Sequence, residues 1–169
     1  MKVYMSNIEQ IKNMATLESK LSDAELIQYG KFSNSVRKLQ YLLSHSIVKS
    51  VCGENVVVDK NSKPTIKNGF ISITHKDNIV IVAVSQMPVG IDIENATIER
   101  DFIGESELLN LPKPKDKYDF YKNFVEYEAR FKFGNGSANA YFYKDGDYLI
   151  CVCSNEPKNN IEFISFCAE

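Results

Sequence analysis

The hydrophobic period of this chain switches from helical to extended, and it does so twice. Few folds accommodate that. Ile8, Ile11, Ala15, Leu17 and Leu21 recur near helical spacing. Ser22-Asp23-Ala24-Glu25 reads as a capping box opening a second short helix. A longer helix, capped by Ser33 or Ser35, carries Val36, Leu39, Leu43, Ile47 and Val51 and is closed by Gly53. From Val56 the pattern is that of strands: Val56–Val58, Phe70–Thr74, Ile79–Val84 and Val89–Ile93, separated by Asn, Lys, Gly and Pro. The cycle then repeats. A helix from about Asp116 to Phe133 stops at Gly134-Asn135-Gly136. Asn139–Tyr143 and Tyr148–Val152 flank a hairpin turn at Lys144-Asp145-Gly146-Asp147, and Ile161–Phe166 forms a last strand. Helices followed by antiparallel strands, twice over, predict an α+β fold.

At 169 residues the chain suffices for one compact domain spanning 1–169, or for two half-domains, 1–85 and 86–169, sharing a core. A net charge of −2 argues against a nucleic-acid partner. No apolar run approaches the roughly 18 residues of a membrane span, and Met1-Lys2-Val3-Tyr4 opens no signal peptide. A cytoplasmic protein with no membrane partner is expected. Cys52, Cys151, Cys153 and Cys167 form no C-x-x-C pair, and Cys151 and Cys153 alternate with Ile150 and Val152 as small buried hydrophobes. Charge is uneven: residues 1–84 carry a net +4 and residues 85–169 a net −6. Such a split is often only two differently solvated surfaces; it also suits a site where one half binds phosphate and the other a divalent metal.

Four stretches could carry chemistry. In Val89-Gly90-Ile91-Asp92-Ile93-Glu94, residues two apart share a strand face, so Asp92 and Glu94 point one way while Ile91 and Ile93 enter a core. Adjacent carboxylates repel unless a cation or a proton lies between them, and hard oxygen ligands suit Mg²⁺. The plainer reading is an edge strand with a solvated acidic face. Glu128 and Lys132 lie four apart on a helix, the spacing of an ordinary surface ion pair. Ser72-Ile73-Thr74-His75 is a strand ending in a hydroxyl and an imidazole, and Ser62-Lys63-Pro64 is a turn.

In this order and spacing, the four stretches resemble the 4′-phosphopantetheinyl transferase family, in its surfactin-type, single-chain branch. The likeness runs from about residue 22 to 136. The family's G-K-P stands here as Ser62-Lys63-Pro64 and its N-x-S-H as Ser72-Ile73-Thr74-His75. G-[IV]-D-[IV]-E is intact at Gly90–Glu94, and W-x-x-K-E-A-x-x-K becomes Phe124-x-x-Tyr127-Glu128-Ala129-x-x-Lys132. Arg37-x-x-Gln40-Tyr41-Leu42 is similar to the family's basic helix, although His45 and Lys49 stand where relatives often place arginines.

The resemblance implies a fold of two similar α+β halves related by a pseudo-twofold, with coenzyme A in the cleft between them. It implies a monomer, and Mg²⁺-dependent transfer of 4′-phosphopantetheine to a serine of an apo acyl or peptidyl carrier protein, releasing 3′,5′-ADP. Mg²⁺, or Mn²⁺ in its place, is expected on Asp92, Glu94 and Glu128. Coenzyme A is expected on Arg37, Lys63, Pro64, Thr74, His75 and Lys132. Asp92, Glu128 and Lys132 would be catalytic, with Glu128 taking the serine proton. Tyr127 removes one family cation beside the carboxylates. A competing expectation is therefore a homologue that binds carrier protein or coenzyme A without efficient turnover. A third is a different Mg²⁺-dependent nucleotide-binding enzyme.

Overall fold

The computed structural model describes residues 1–59 and 63–168. Ser62, expected in the nucleotide-side turn, lies outside them. The fold is mixed α+β, and its elements run β1 (Lys2–Asn7), α1 (Met14–Glu18), α2 (Asp23–Gly30), α3 (Ser35–Cys52), β2 (Val57–Val58), β3 (Pro64–Thr65), β4 (Phe70–Lys76), β5 (Ile79–Ser85) and β6 (Val89–Asn95). They continue with α4 (Phe102–Leu108), α5 (Lys117–Phe133), β7 (Asn139–Asp145), β8 (Tyr148–Ser154) and β9 (Glu162–Ser165). Among the described residues no helix is long and apolar enough to cross a membrane.

Local chemistry sets the boundaries. Ser22 and Glu25 close a reciprocal capping box on α2. The cap of α3 is Asn34 rather than Ser33 or Ser35: its carboxamide oxygen accepts from the Arg37 amide at 2.9 Å, and Gly53 ends the helix at φ 70°. The apolar spacing from Ile8 to Leu21 does not make one helix. A 3₁₀ turn at Ile8–Gln10 and the five-residue α1 are each started by an Asn side chain, Asn7 and Asn13. Val56 is buried outside any strand, and Val57 and Val58 of β2 are exposed.

Among the described residues the strands form three sheets: β4-β5-β1-β9, β6-β8-β7, and the small β2-β3 ladder. One succession of elements occurs twice. A strand (β1, then β6) leads to a long helix (α3, then α5) and an antiparallel hairpin (β4–β5, then β7–β8), and the first strand pairs antiparallel with the hairpin's second arm. The final strand β9 departs from this scheme, crossing back to pair parallel with β1.

The layers run helix, sheet, sheet, helix. Leu42, Leu43 and Ile47 of α3 pack with Val80 and Val82 on one face of the first sheet. Val3, Ile81 and Ala83 on its other face meet Ile91, Ile93, Ile150 and Val152 of the second sheet. Beyond them, Phe120, Tyr121, Val125 and Ala129 of α5 cover Leu149, Cys151 and Cys153. The two cysteines are buried packing residues, as their alternation predicts. The halves also meet edge to edge, where the Ile91 amide donates to Ser72 Oγ at 3.0 Å, bringing β4 alongside β6.

Candidate functional site

Asp92 lies at this seam. With Ile91 and Ile93 committed to the central core, the alternation of β6 turns Asp92 and Glu94 toward α5. β6 is an edge strand of its own sheet, but its acidic face is not solvated: Asp92 is only 5% exposed, because α5 and β4 close over it. Thr74 Oγ1 donates to Asp92 Oδ1 at 2.9 Å and Lys132 Nζ donates to the same oxygen at 2.6 Å. Lys132 also donates to the Ile91 carbonyl at 3.2 Å. Asp92 Oδ2 is buried and has no hydrogen-bond partner among the described residues. A buried carboxylate oxygen left unpaired is costly, so an added cation or donor at this atom is favoured.

Lys132 therefore pairs across to the strand, and not with Glu128 along its own helix. The i, i+4 ion pair that α5 does make is Glu126 with Arg130, at 2.7 Å. Glu128 is half-buried, with no ion pair among the described residues. Burial, reinforced by the charges of Asp92 and Glu94 and partly offset by Lys132, holds its carboxyl above the usual range. Glu94 has partners of its own: Lys76 Nζ at 2.7 Å and Arg100 Nη2 at 3.7 Å. Arg100 in turn lies over the Phe124 ring and reaches Glu105 at 3.3 Å.

Lys76 and Arg100 are site residues that sequence reasoning passed over. Lys76 had a signal, because it follows Thr74 by two and so shares its strand face. Arg100 sits in a connection with no periodic pattern.

The first half contributes cations. His75, on the β4 face opposite Thr74, is lowered to about 4 by burial, reinforced by the nearby charges of Arg37, Lys132 and Lys76. Its imidazole is thus neutral at pH 7. Burial also lowers the Arg37 guanidinium, whose Nη1 lies 3.5 Å from Gln40 Oε1.

A cleft of about 610 Å³ runs beside the seam, lined by Lys63, Pro64, Ser72, Phe131, Lys132 and Asn135 among others. Lys63, Pro64 and Lys132 thus share one surface, and Lys63 Nζ reaches the Phe133 carbonyl at 3.4 Å. Arg37, His75, Asp92, Glu94 and Glu128 do not line the cleft. Thr74, expected to face a nucleotide, spends its hydroxyl on Asp92 instead. His45 is buried in the α2–α3 packing, its Nδ1 2.8 Å from Glu25 Oε1.

Among the described residues no three acidic, His or Cys side chains form a ready-made metal cage. The donor chemistry nonetheless fits a divalent cation: a buried Asp92 Oδ2 with no partner among the described residues, and a Glu128 carboxyl that burial and its acidic neighbours discourage from ionising. Glu94 fits less readily while Lys76 and Arg100 hold it. No protein-family model matches this chain, and no curated protein is significantly similar to it.

Proposed function

We propose that this chain transfers 4′-phosphopantetheine from coenzyme A to a serine of an apo acyl or peptidyl carrier protein, as the family it resembles does. The observation that carries the reading is Asp92. It is buried at the seam of the two halves, with one oxygen held by Lys132 and Thr74 and the other without a partner among the described residues. The duplicated strand–helix–hairpin order supports a pseudo-twofold of two related halves, with coenzyme A in the cleft between them.

In this reaction the serine oxygen forms a bond to the β-phosphorus, the bridging P–O bond breaks, and 3′,5′-ADP departs. Mg²⁺ or Mn²⁺, held by Asp92, Glu94 and Glu128, would neutralise pyrophosphate charge when bound. Glu128, with its raised affinity for a proton, is the group suited to take the serine proton. Lys132, about a quarter exposed, can swing its ammonium from Asp92 toward the leaving oxygens. Lys63 offers a donor at the cleft wall, Arg37 and neutral His75 offer theirs to phosphates that extend beyond it, and Pro64 stiffens the turn beside the cleft.

Intact mass spectrometry of apo-carrier protein, of fatty-acid or peptide/polyketide type, incubated with coenzyme A and Mg²⁺ tests the reading. The phosphopantetheine increment is the expected result, and its absence with every carrier overturns the transfer. A second reading, a binding homologue with little turnover, is favoured by one observation: Lys132 and Lys76 already neutralise Asp92 and Glu94. Coenzyme A binding by calorimetry without any mass increment would select it.

A further inference from the structure

Lys76 has no part in the transfer above, yet it makes the closest contact to Glu94. Its Nζ lies 2.7 Å from Oε2, an ion pair by distance though without hydrogen-bond alignment, and the two side chains are only 18% and 12% exposed. The pair bridges β4 to β6 one step beyond the Thr74–Asp92 hydrogen bond, since Thr74 and Lys76 share one strand face and Asp92 and Glu94 another. Arg100 Nη2 approaches the same Glu94 oxygen at 3.7 Å. An ammonium seated this closely competes directly with a divalent cation for the carboxylate. Lys132 lines the cleft and also reaches Asp92, two residues before Glu94, so an anion in the cleft meets the cations of this carboxylate row.

We infer that Lys76 is a counterion lock: it holds Glu94 away from a divalent cation until an anionic phosphoryl ligand draws its ammonium off. Anion and cation then bind with positive coupling, beyond what direct contact between them supplies. The inference rests on the reading that a divalent cation binds at Asp92 and its neighbours. Lys76 is a positioning residue in this scheme, because it acts through Glu94. Arg100 stays near Glu94 when Lys76 is replaced, which limits the damage from leaving a largely buried carboxylate alone.

The test is a titration with Mn²⁺, followed by the resonance of the free ion, on wild type, Lys76→Met and Lys76→Gln, each with and without coenzyme A. Without coenzyme A, both variants should bind Mn²⁺ roughly tenfold more tightly than wild type. With it, wild type should come within about twofold of the variants. A damaged fold loses affinity, so tightening cannot arise from misfolding, and a melting curve for each variant identifies one that has unfolded. Equal or weaker Mn²⁺ binding by folded variants overturns the lock while leaving the transfer reading standing. No Mn²⁺ binding by any of the proteins, with or without coenzyme A, overturns the lock and the cation site together.

Discussion

Gly90 and Ala129 approach so closely that a Cβ on Gly90 would lie 2.0 Å from the Ala129 carbonyl oxygen and 2.4 Å from the Phe133 amide nitrogen. Both obstacles are helix backbone, which cannot step aside as a flexible side chain can. This contact seats α5 directly on β6 and so brings Lys132 within reach of Asp92. Gly90→Ala should therefore destabilise the protein by about 3 kcal/mol, the upper range for overpacking. It should also weaken any activity that depends on Lys132. Urea unfolding measures the first effect, and an unchanged midpoint would mean that α5 and β6 are not seated this way.

The Asp92–Lys132 pair is asymmetric in burial, with side chains 8% and 26% exposed. Lys132→Met leaves a buried carboxylate with one neutral donor and should cost about 2 kcal/mol. Asp92→Ala should cost less, because the freed ammonium can reach solvent and one charge leaves a crowded acidic cluster. Both should abolish transfer. Unfolding midpoints for the two variants check the order, and a larger loss for Asp92→Ala would contradict the pairing.

Glu128 binds its proton more tightly in the fold than in the unfolded chain. Such a group favours folding below its ordinary pKa and opposes it as pH rises through the folded value. At pH 7 Glu128→Gln should therefore melt slightly higher than wild type, by up to about 1 kcal/mol for a half-exposed group. The gain should vanish below about pH 4.5. Turnover should fall by about 10²-fold or more, since Gln cannot accept the serine proton. Melting curves at pH 7 and pH 4 beside single-turnover transfer test both halves of the argument.

His75 falls from an ordinary 6.5 to about 4 in the fold, so the unfolded chain binds more protons across that window. Its contribution to stability is complete above pH 6.5 and is lost as pH falls toward 4. His75→Gln should flatten the acid limb of a stability–pH curve by about 1 kcal/mol between pH 7 and 5, after allowance for partial exposure. An unaltered curve would show that His75 is not shielded among those cations.

Glu25 supplies a control that neither lines the cleft nor contacts the Asp92 cluster. Burial raises its carboxyl, but His45 Nδ1, the Ser22 amide and hydroxyl and the Asn55 carboxamide outweigh that and lower it from 4.5 to about 2. The Val56 amide also donates to it, at 3.0 Å. The resulting stability is present above pH 4.5 and is lost as pH falls through about 2. Glu25→Ala should cost about 3 kcal/mol by stranding several buried donors, while carrier-protein transfer in the folded fraction stays unchanged. Urea unfolding at pH 7 and the transfer assay read the two separately.

What the sequence determined by itself was local. Apolar period and turn residues placed the two long helices, the β7–β8 hairpin and the α+β class, because each depends on residues within a few positions of one another, although the cap of α3 falls at Asn34 and not at Ser33 or Ser35. The alternation of Ile91, Asp92, Ile93 and Glu94 already assigned the carboxylates to one face. Tertiary structure alone decided what that face meets. Lys132 and Glu128 look like a surface pair by spacing, but the close seat of α5 on β6 sends Lys132 to Asp92, 40 residues away. Lys76 and Arg100 reach Glu94 from separate elements, and β9 returns to β1 across almost the whole chain. These contacts depend on how two sheets and two helices stack. A linear pattern carries no term for that, because burial and charge pairing between distant segments arise only when the layers close.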